Sequence, residues 1–247
     1  DEFETNLIVH EGEFINVLDA LKQIKAEQTI RKKYLRIGFS DKMNKSTFRY
    51  EIEGLDQIQN VISRYDRRPN YMIFSNLAIE GEYPILKKTK MSGNTAHVPE
   101  YDFKIRHLKE THKISKDELH ALQNLGHLDN LQVTHRFLDR YTLILKDTKE
   151  YTLKLECSSV QMNSKIGLLS KSRHEYEVEI ELMPKVFGKK LSKEPLTKFM
   201  NTIKFIMQGC NQTNQLIPNN ISQGVIKEVK SLLMRNPSAD ITSTNIK

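Results

Sequence analysis

The segment Tyr176-Glu177-Val178-Glu179-Ile180-Glu181-Leu182 alternates strictly between carboxylates and apolar or aromatic side chains. A helix would scatter these seven residues around its circumference, whereas a strand sorts them onto two faces. Three carboxylates then share one face, spaced about 7 Å apart along the strand. Like charges in a row repel; a solvated edge strand tolerates that but usually mixes signs, and a divalent cation would compensate it.

The same period of two recurs along the chain, in 48–53, 101–106 and 151–156, with shorter candidates at 2–7, 34–39, 71–79, 83–88 and 136–145. About eight or nine strands with hairpin-like spacing predict a largely antiparallel sheet or barrel. One face collects Glu2 and Glu4; Arg49, Glu51 and Glu53; Lys88; Lys104 and Arg106; Arg136 and Arg140; Thr152, Lys154 and Glu156; and Glu177, Glu179 and Glu181. The other collects Phe48, Tyr50, Ile52, Phe103, Ile105, Tyr151, Leu153, Leu155, Val178, Ile180 and Leu182. Alternation alone fits an open sheet with one wet face. It also fits a barrel closed with its charged face inward, an inversion that requires a hydrated or ion-holding interior.

Helical spacing of apolar residues predicts helices over 12–25, 56–65, 193–207 and 224–234, and a further one over 115–125 that opens on Ser115 and Glu118 in a capping pattern. The polar stretch 236–247 reads as a linker. A sequence that starts at Asp1 reads as a piece of something longer. The 38 Lys and Arg against 31 Asp and Glu, a formal charge of +7, favour polyanionic partners. Two cysteines exclude a disulfide framework or a cysteine-based zinc site and fit a reducing compartment. No apolar run approaches the roughly 18 residues of a membrane span. Other constellations fail: the eight histidines show no metal-ligand spacing, Gly188-Lys189-Lys190 lacks the rest of a phosphate-binding loop, and Cys210 has no histidine partner in sequence.

The inward set combines hard carboxylate oxygens, suited to Mg²⁺ or Mn²⁺, with guanidinium and ammonium groups suited to phosphate oxygens. Glu-x-Glu on the first strand and Glu-x-Glu-x-Glu on the last, with Arg and Lys between, resembles the triphosphate tunnel metalloenzymes. The likeness is strongest to the RNA 5′-triphosphatase domain of mRNA capping enzymes of large DNA viruses. It covers nearly the whole chain in order. Glu2-Phe3-Glu4 stands at the family's first metal pair, and Phe48-Arg49-Tyr50-Glu51 at a strand with a functional arginine. Leu86-Lys87-Lys88 stands at a lysine strand, 103–110 at a strand ending in a functional glutamate, and 136–140 at an Arg-x-Lys-x-Arg strand. Tyr176 to Lys185 stands at the final metal strand.

The resemblance implies an α+β fold, a closed antiparallel barrel of about eight strands with charged interior and flanking helices. It implies removal of the γ-phosphate from the 5′ end of nascent RNA. Glu2, Glu4, Glu179 and Glu181 would hold Mg²⁺ or Mn²⁺. Arg49, Lys88, Arg106, Arg136, Arg140 and Lys154 would grip phosphates. Glu177 would orient or deprotonate water, and Glu110 would hold a basic residue or contact water. It further implies a domain over 1–235, a linker over 236–247 toward a guanylyltransferase domain of the same longer chain, nascent RNA or a nucleoside triphosphate as ligand, and an intracellular setting in a viral factory or virion. Two departures stand out: Leu138 replaces a common lysine, and Lys154-x-Glu156 exchanges the charges of an Asp-x-Lys pair. Two other readings remain: a tunnel hydrolase of inorganic triphosphate or nucleotides, and a weakened tunnel that holds polyanions or a partner.

Overall fold

The computed structural model describes residues 2–41, 46–98, 101, 103–124, 133–185, 192–211 and 227. The expected helix over 224–234, residues 188–190 and the 236–247 linker lie wholly or almost wholly outside them.

Eight strands form the frame: β1 (Glu2–Val9), β2 (Gln28–Asp41), β3 (Ser46–Glu53), β4 (Ile85–Val98), β5 (Phe103–Thr111), β6 (Val133–Asp147), β7 (Tyr151–Asn163) and β8 (His174–Pro184). They close into a barrel in the order β1-β5-β4-β3-β2-β6-β7-β8, every neighbour antiparallel. Closure brings the first strand against the last and leaves no open edge in the ladder.

The barrel is inverted relative to an ordinary core. Tyr50, Ile52, Leu155, Val178, Ile180 and Leu182 point outward and are fully buried there. Two apolar clusters achieve this, both outside the barrel. Helices α2 (Leu55–Tyr65), α3 (Asn70–Glu80) and α4 (Lys116–Gln123), with a 3₁₀ turn (Ile166–Lys171), cover β2 and β3 through Ile58, Val61, Phe74 and Leu77. Helices α1 (Glu11–Leu21) and α5 (Lys193–Asn211) cover β7 and β8 through Phe14, Val17, Phe199, Ile203 and Ile206. The expected capping box closes reciprocally: the Ser115 hydroxyl accepts from the Glu118 amide at 3.1 Å, and the Glu118 carboxylate accepts from the Ser115 amide at 3.0 Å.

One expectation is corrected. Residues 71–79, read as a strand, form α3. An apolar run of this length does not distinguish strand from helix, and here Ile73, Phe74, Leu77 and Ala78 bury at helical spacing. Pro69 precedes the helix and Gly81, at φ 65°, ends it in the left-handed conformation that glycine adopts without strain. On α5, Leu196 and Met200 stay exposed, since the buried stripe runs through Phe199, Ile203 and Ile206.

Candidate active site within the barrel

Neighbouring strands decide which inward side chains meet. In the β1–β8 ladder Glu4 stands directly opposite Glu181, and Glu179 opposite Asn6. In the β7–β8 ladder Glu156 stands opposite Glu179 and Lys154 opposite Glu181. The two acidic motifs, some 170 positions apart in sequence, therefore share one seam. One carboxylate oxygen from each of Glu4, Glu179 and Glu181 lies within 4.8 Å of the others. Glu2 is buried beside them but outside that trio, held by Lys88.

Facing the seam is a basic wall. Arg140 donates from Nε to Ser158 at 2.8 Å, reaches Glu179 at 3.4 Å and makes a close contact with Glu156. Lys154 lies 2.7 Å from Glu181 and 3.1 Å from Glu156. The exchanged Lys154/Glu156 pair thus points inward in register, with Lys154 on the acidic strand and Glu156 on Arg140. Lys88 contacts Glu4 at 2.6 Å, Glu2 at 2.9 Å and Glu110 at 3.4 Å. Arg49 donates to Glu110 at 3.2 Å. One nitrogen of Arg136 lies 2.6 Å from both oxygens of Glu177. Arg106 reaches Glu4 at 3.4 Å, with its side chain 41% exposed.

Every inward residue singled out from sequence is thus inside the barrel or at its rim, but the groupings differ. Glu177 belongs with Arg136, away from the carboxylate trio. Glu110 ties Arg49 to Lys88. Sequence reasoning passed over Arg36 of β2, which is buried, donates from Nε to Glu51 at 2.6 Å and lies beside Arg49 and Arg140. Its signal was present: Tyr34, Arg36 and Gly38 alternate with Leu35, Ile37 and Phe39, and that strand was not sorted by face. The inner face also holds aliphatic residues, of which the sequence singled out only Leu138. Leu86, Leu108, Leu138 and Val160 are buried on the inner face, outside both helix-covered clusters. Leu138 stands between Arg136 and Arg140 on β6 and opposite Val160 of β7.

The electrostatics mark the seam as short of positive charge. Burial, then the neighbouring Glu179 carboxylate, raises Glu4 to about 7 and Glu181 to about 8. Burial raises Glu2 as well. Glu179 goes the other way: burial opposes its charge, but Arg140, Lys88 and Arg36 outweigh that and hold it at about 2. Lys88 and Lys154 lose solvation by burial yet are raised by the carboxylates around them. Oε1 of Glu2 and Oε2 of Glu181 are buried without an aligned hydrogen bond, although an ammonium lies near each. All-oxygen donors, a trio within reach of one ion and unsatisfied buried carboxylate oxygens fit a hard divalent cation.

A closed eight-stranded antiparallel barrel with ionisable residues lining its interior is a triphosphate tunnel architecture. No protein-family model and no curated protein matches this sequence. Solved structures do match. The triphosphatase of the mimivirus capping enzyme superposes with a TM-score of 0.64 at 18% identity, over 83% of this chain and 88% of that one. A second structure, the RNA triphosphatase domain of a trifunctional mimivirus mRNA capping enzyme, gives 0.63 at 20% identity over the same shares. The chain shares that fold. Among the described residues no helix is long and apolar enough to cross a membrane.

Proposed function

We propose that this chain is a metal-dependent RNA 5′-triphosphatase acting in mRNA capping. Its domain would be 1–235, with 236–247 leading to a guanylyltransferase domain of a longer chain. The observation that carries the reading is the trio Glu4, Glu179 and Glu181, within 4.8 Å, enclosed by a wall of arginines and lysines. The shared fold with the mimivirus triphosphatase supports it. The setting that follows is a viral factory or virion.

Glu2, Glu4, Glu179 and Glu181 would hold Mg²⁺ or Mn²⁺, which when bound supplies a Lewis acid for the γ-phosphate. Phosphoryl transfer then needs mainly positioning and charge neutralisation. Arg49, Arg136, Arg140 and Arg36 present guanidinium forks to phosphate oxygens, while Lys154, Lys88 and Arg106 add charge around the seam. Each rests on a carboxylate, so the wall is pre-oriented before substrate arrives. Glu177, fixed by Arg136, accepts a proton from the attacking water as that water bonds to the γ-phosphorus. The bond to the bridging oxygen breaks, leaving RNA with a 5′-diphosphate and inorganic phosphate. Glu110 holds Arg49 and Lys88 at a set spacing.

The test is phosphate release from 5′-γ-labelled triphosphate RNA, inorganic triphosphate and ATP, with Mg²⁺, Mn²⁺ or EDTA. Release from RNA that requires metal is expected. No release from any substrate with either metal would overturn the reading. Leu138 favours one second reading, a polyanion-binding tunnel with weak turnover, because it sets a buried aliphatic chain between two phosphate-gripping arginines. Tight binding of inorganic triphosphate without phosphate release would select it.

A further inference from the structure

Lys88 projects into the barrel from β4, and its ammonium lies on the acidic seam. It lies 2.6 Å from Glu4 Oε2, 2.9 Å from Glu2 Oε1 and 3.4 Å from Glu110 Oε1. Its side chain is only 17% exposed. A cation borne by the chain thus already sits against carboxylates proposed to hold metal. The seam needs one, because Glu4 faces Glu181 directly across the ladder and two carboxyls so placed ionise together only beside a cation.

We propose that Lys88 is the built-in counter-ion of the metal-free seam, that a divalent cation displaces it, and that the displaced ammonium becomes available to the phosphates, so that metal binding precedes and promotes polyphosphate binding. This rests on the metal-dependent reading above. Two observations single out Lys88 from its counterpart Lys154. Lys154 keeps Glu156, which lies outside the carboxylate trio, as a close partner at 3.1 Å even if Glu181 turns to an ion. Lys88 would lose two partners, Glu2 and Glu4, and keep only its most distant neighbour, Glu110, at 3.4 Å. An ammonium held beside a divalent ion in a site this buried is repelled strongly. Its four-carbon stem allows a change of partner that a fork-bonded guanidinium resists.

The experiment is a Mn²⁺ titration of the full chain without substrate, reading free Mn²⁺ by electron paramagnetic resonance, paired with melting curves in EDTA. Lys88→Met should melt lower in EDTA yet bind Mn²⁺ roughly tenfold tighter, the scale of one charge-assisted contact no longer in competition. Lys88→Arg should keep the melting temperature and bind Mn²⁺ no tighter than the parent chain. If Lys88→Met does not fold, acetylation of the parent chain read by mass spectrometry decides: Lys88 should be shielded in EDTA and labelled once Mn²⁺ is added. Unchanged or weaker Mn²⁺ binding by a folded Lys88→Met, or labelling indifferent to Mn²⁺, overturns the inference while the metal site stands. A parent chain that binds no Mn²⁺ overturns the metal-dependent reading and the inference with it.

Discussion

On β8 the outward residues Val178, Ile180 and Leu182 and the inward residues Glu177, Glu179 and Glu181 are almost equally hidden from water. Outside, the strand is held by helices α1 and α5 pressing aliphatic and aromatic side chains against it. Inside, each carboxylate is held by a cation from another strand. The outer packing removes apolar area from water and adds stability for every methylene buried. The inner pairing largely offsets its own desolvation, so its net contribution is small and its arrangement can be changed. The barrel is thus stabilised from outside and holds its ionisable groups inside, the reverse of an ordinary small barrel, whose apolar side chains fill the interior.

The largest expected effect is on the inner face. Glu181→Gln and Glu179→Gln should each lower metal-dependent phosphate release by roughly two to three orders of magnitude, the scale of removing one preorganised charged group. Their stabilities should part in EDTA near neutral pH. Glu181 is a carboxyl that burial keeps from ionising, so its amide should melt at or above the parent temperature. Glu179 is ionised and gripped by Arg140, so its amide should melt lower. Equal turnover in either variant would remove that residue from the site.

The outer face should show the converse. Ile180→Ala leaves a cavity under α1 and α5 and should cost about 2–5 kcal/mol, with turnover of the folded fraction nearly unchanged. Denaturant melts and phosphate release on the same sample check both halves. A large loss of turnover in folded Ile180→Ala would blur the division between the faces.

The two faces should also bend the pH profile in opposite directions. His135 sits on the outward side of β6 with neither ring nitrogen in an aligned hydrogen bond. Burial lowers its pKa to about 4, against a smaller upward pull from the backbone at Asn163 and Ser164. Between its unfolded value of about 6.5 and 4 the unfolded chain takes up a proton that the folded chain refuses, so stability falls as pH falls, by on the order of 3 kcal/mol. Glu181 has the opposite sign: between 4.5 and about 8 the unfolded chain has released a proton that the folded chain keeps, so metal-free stability falls as pH rises. Melting curves in EDTA from pH 4.5 to 8.5 should show both limbs. His135→Leu should lessen only the acid limb and Glu181→Gln only the alkaline one, the rest of which belongs to Glu4. The smallest effect belongs to neither face: Lys22→Ala breaks an exposed pair with Asp19 and should leave melting and turnover unchanged within error.

Much of the frame was legible because strand periodicity is a local property. Eight of the nine strand candidates are strands, and their inward and outward lists match the barrel's two faces. The failure at 71–79 shows the limit of that signal, since a short, mostly apolar run does not distinguish a strand from a helix. Arg36 was legible and overlooked. Leu138 was noticed only as a substitution, and its burial opposite Val160 inside the barrel was invisible because alternation assigns a face without saying how full that face is.

Alternation along β8, β3, β5 and β7 was enough to require that charges of both signs share one face, because a strand offers only two. It could not require that this face be enclosed, nor say that Glu4 meets Glu181, Arg136 meets Glu177 and Lys88 meets Glu2. Those contacts join strands distant in sequence. Their partners are set by the order in which the strands close and by the register of each ladder, which burial of one face and the connecting turns fix together.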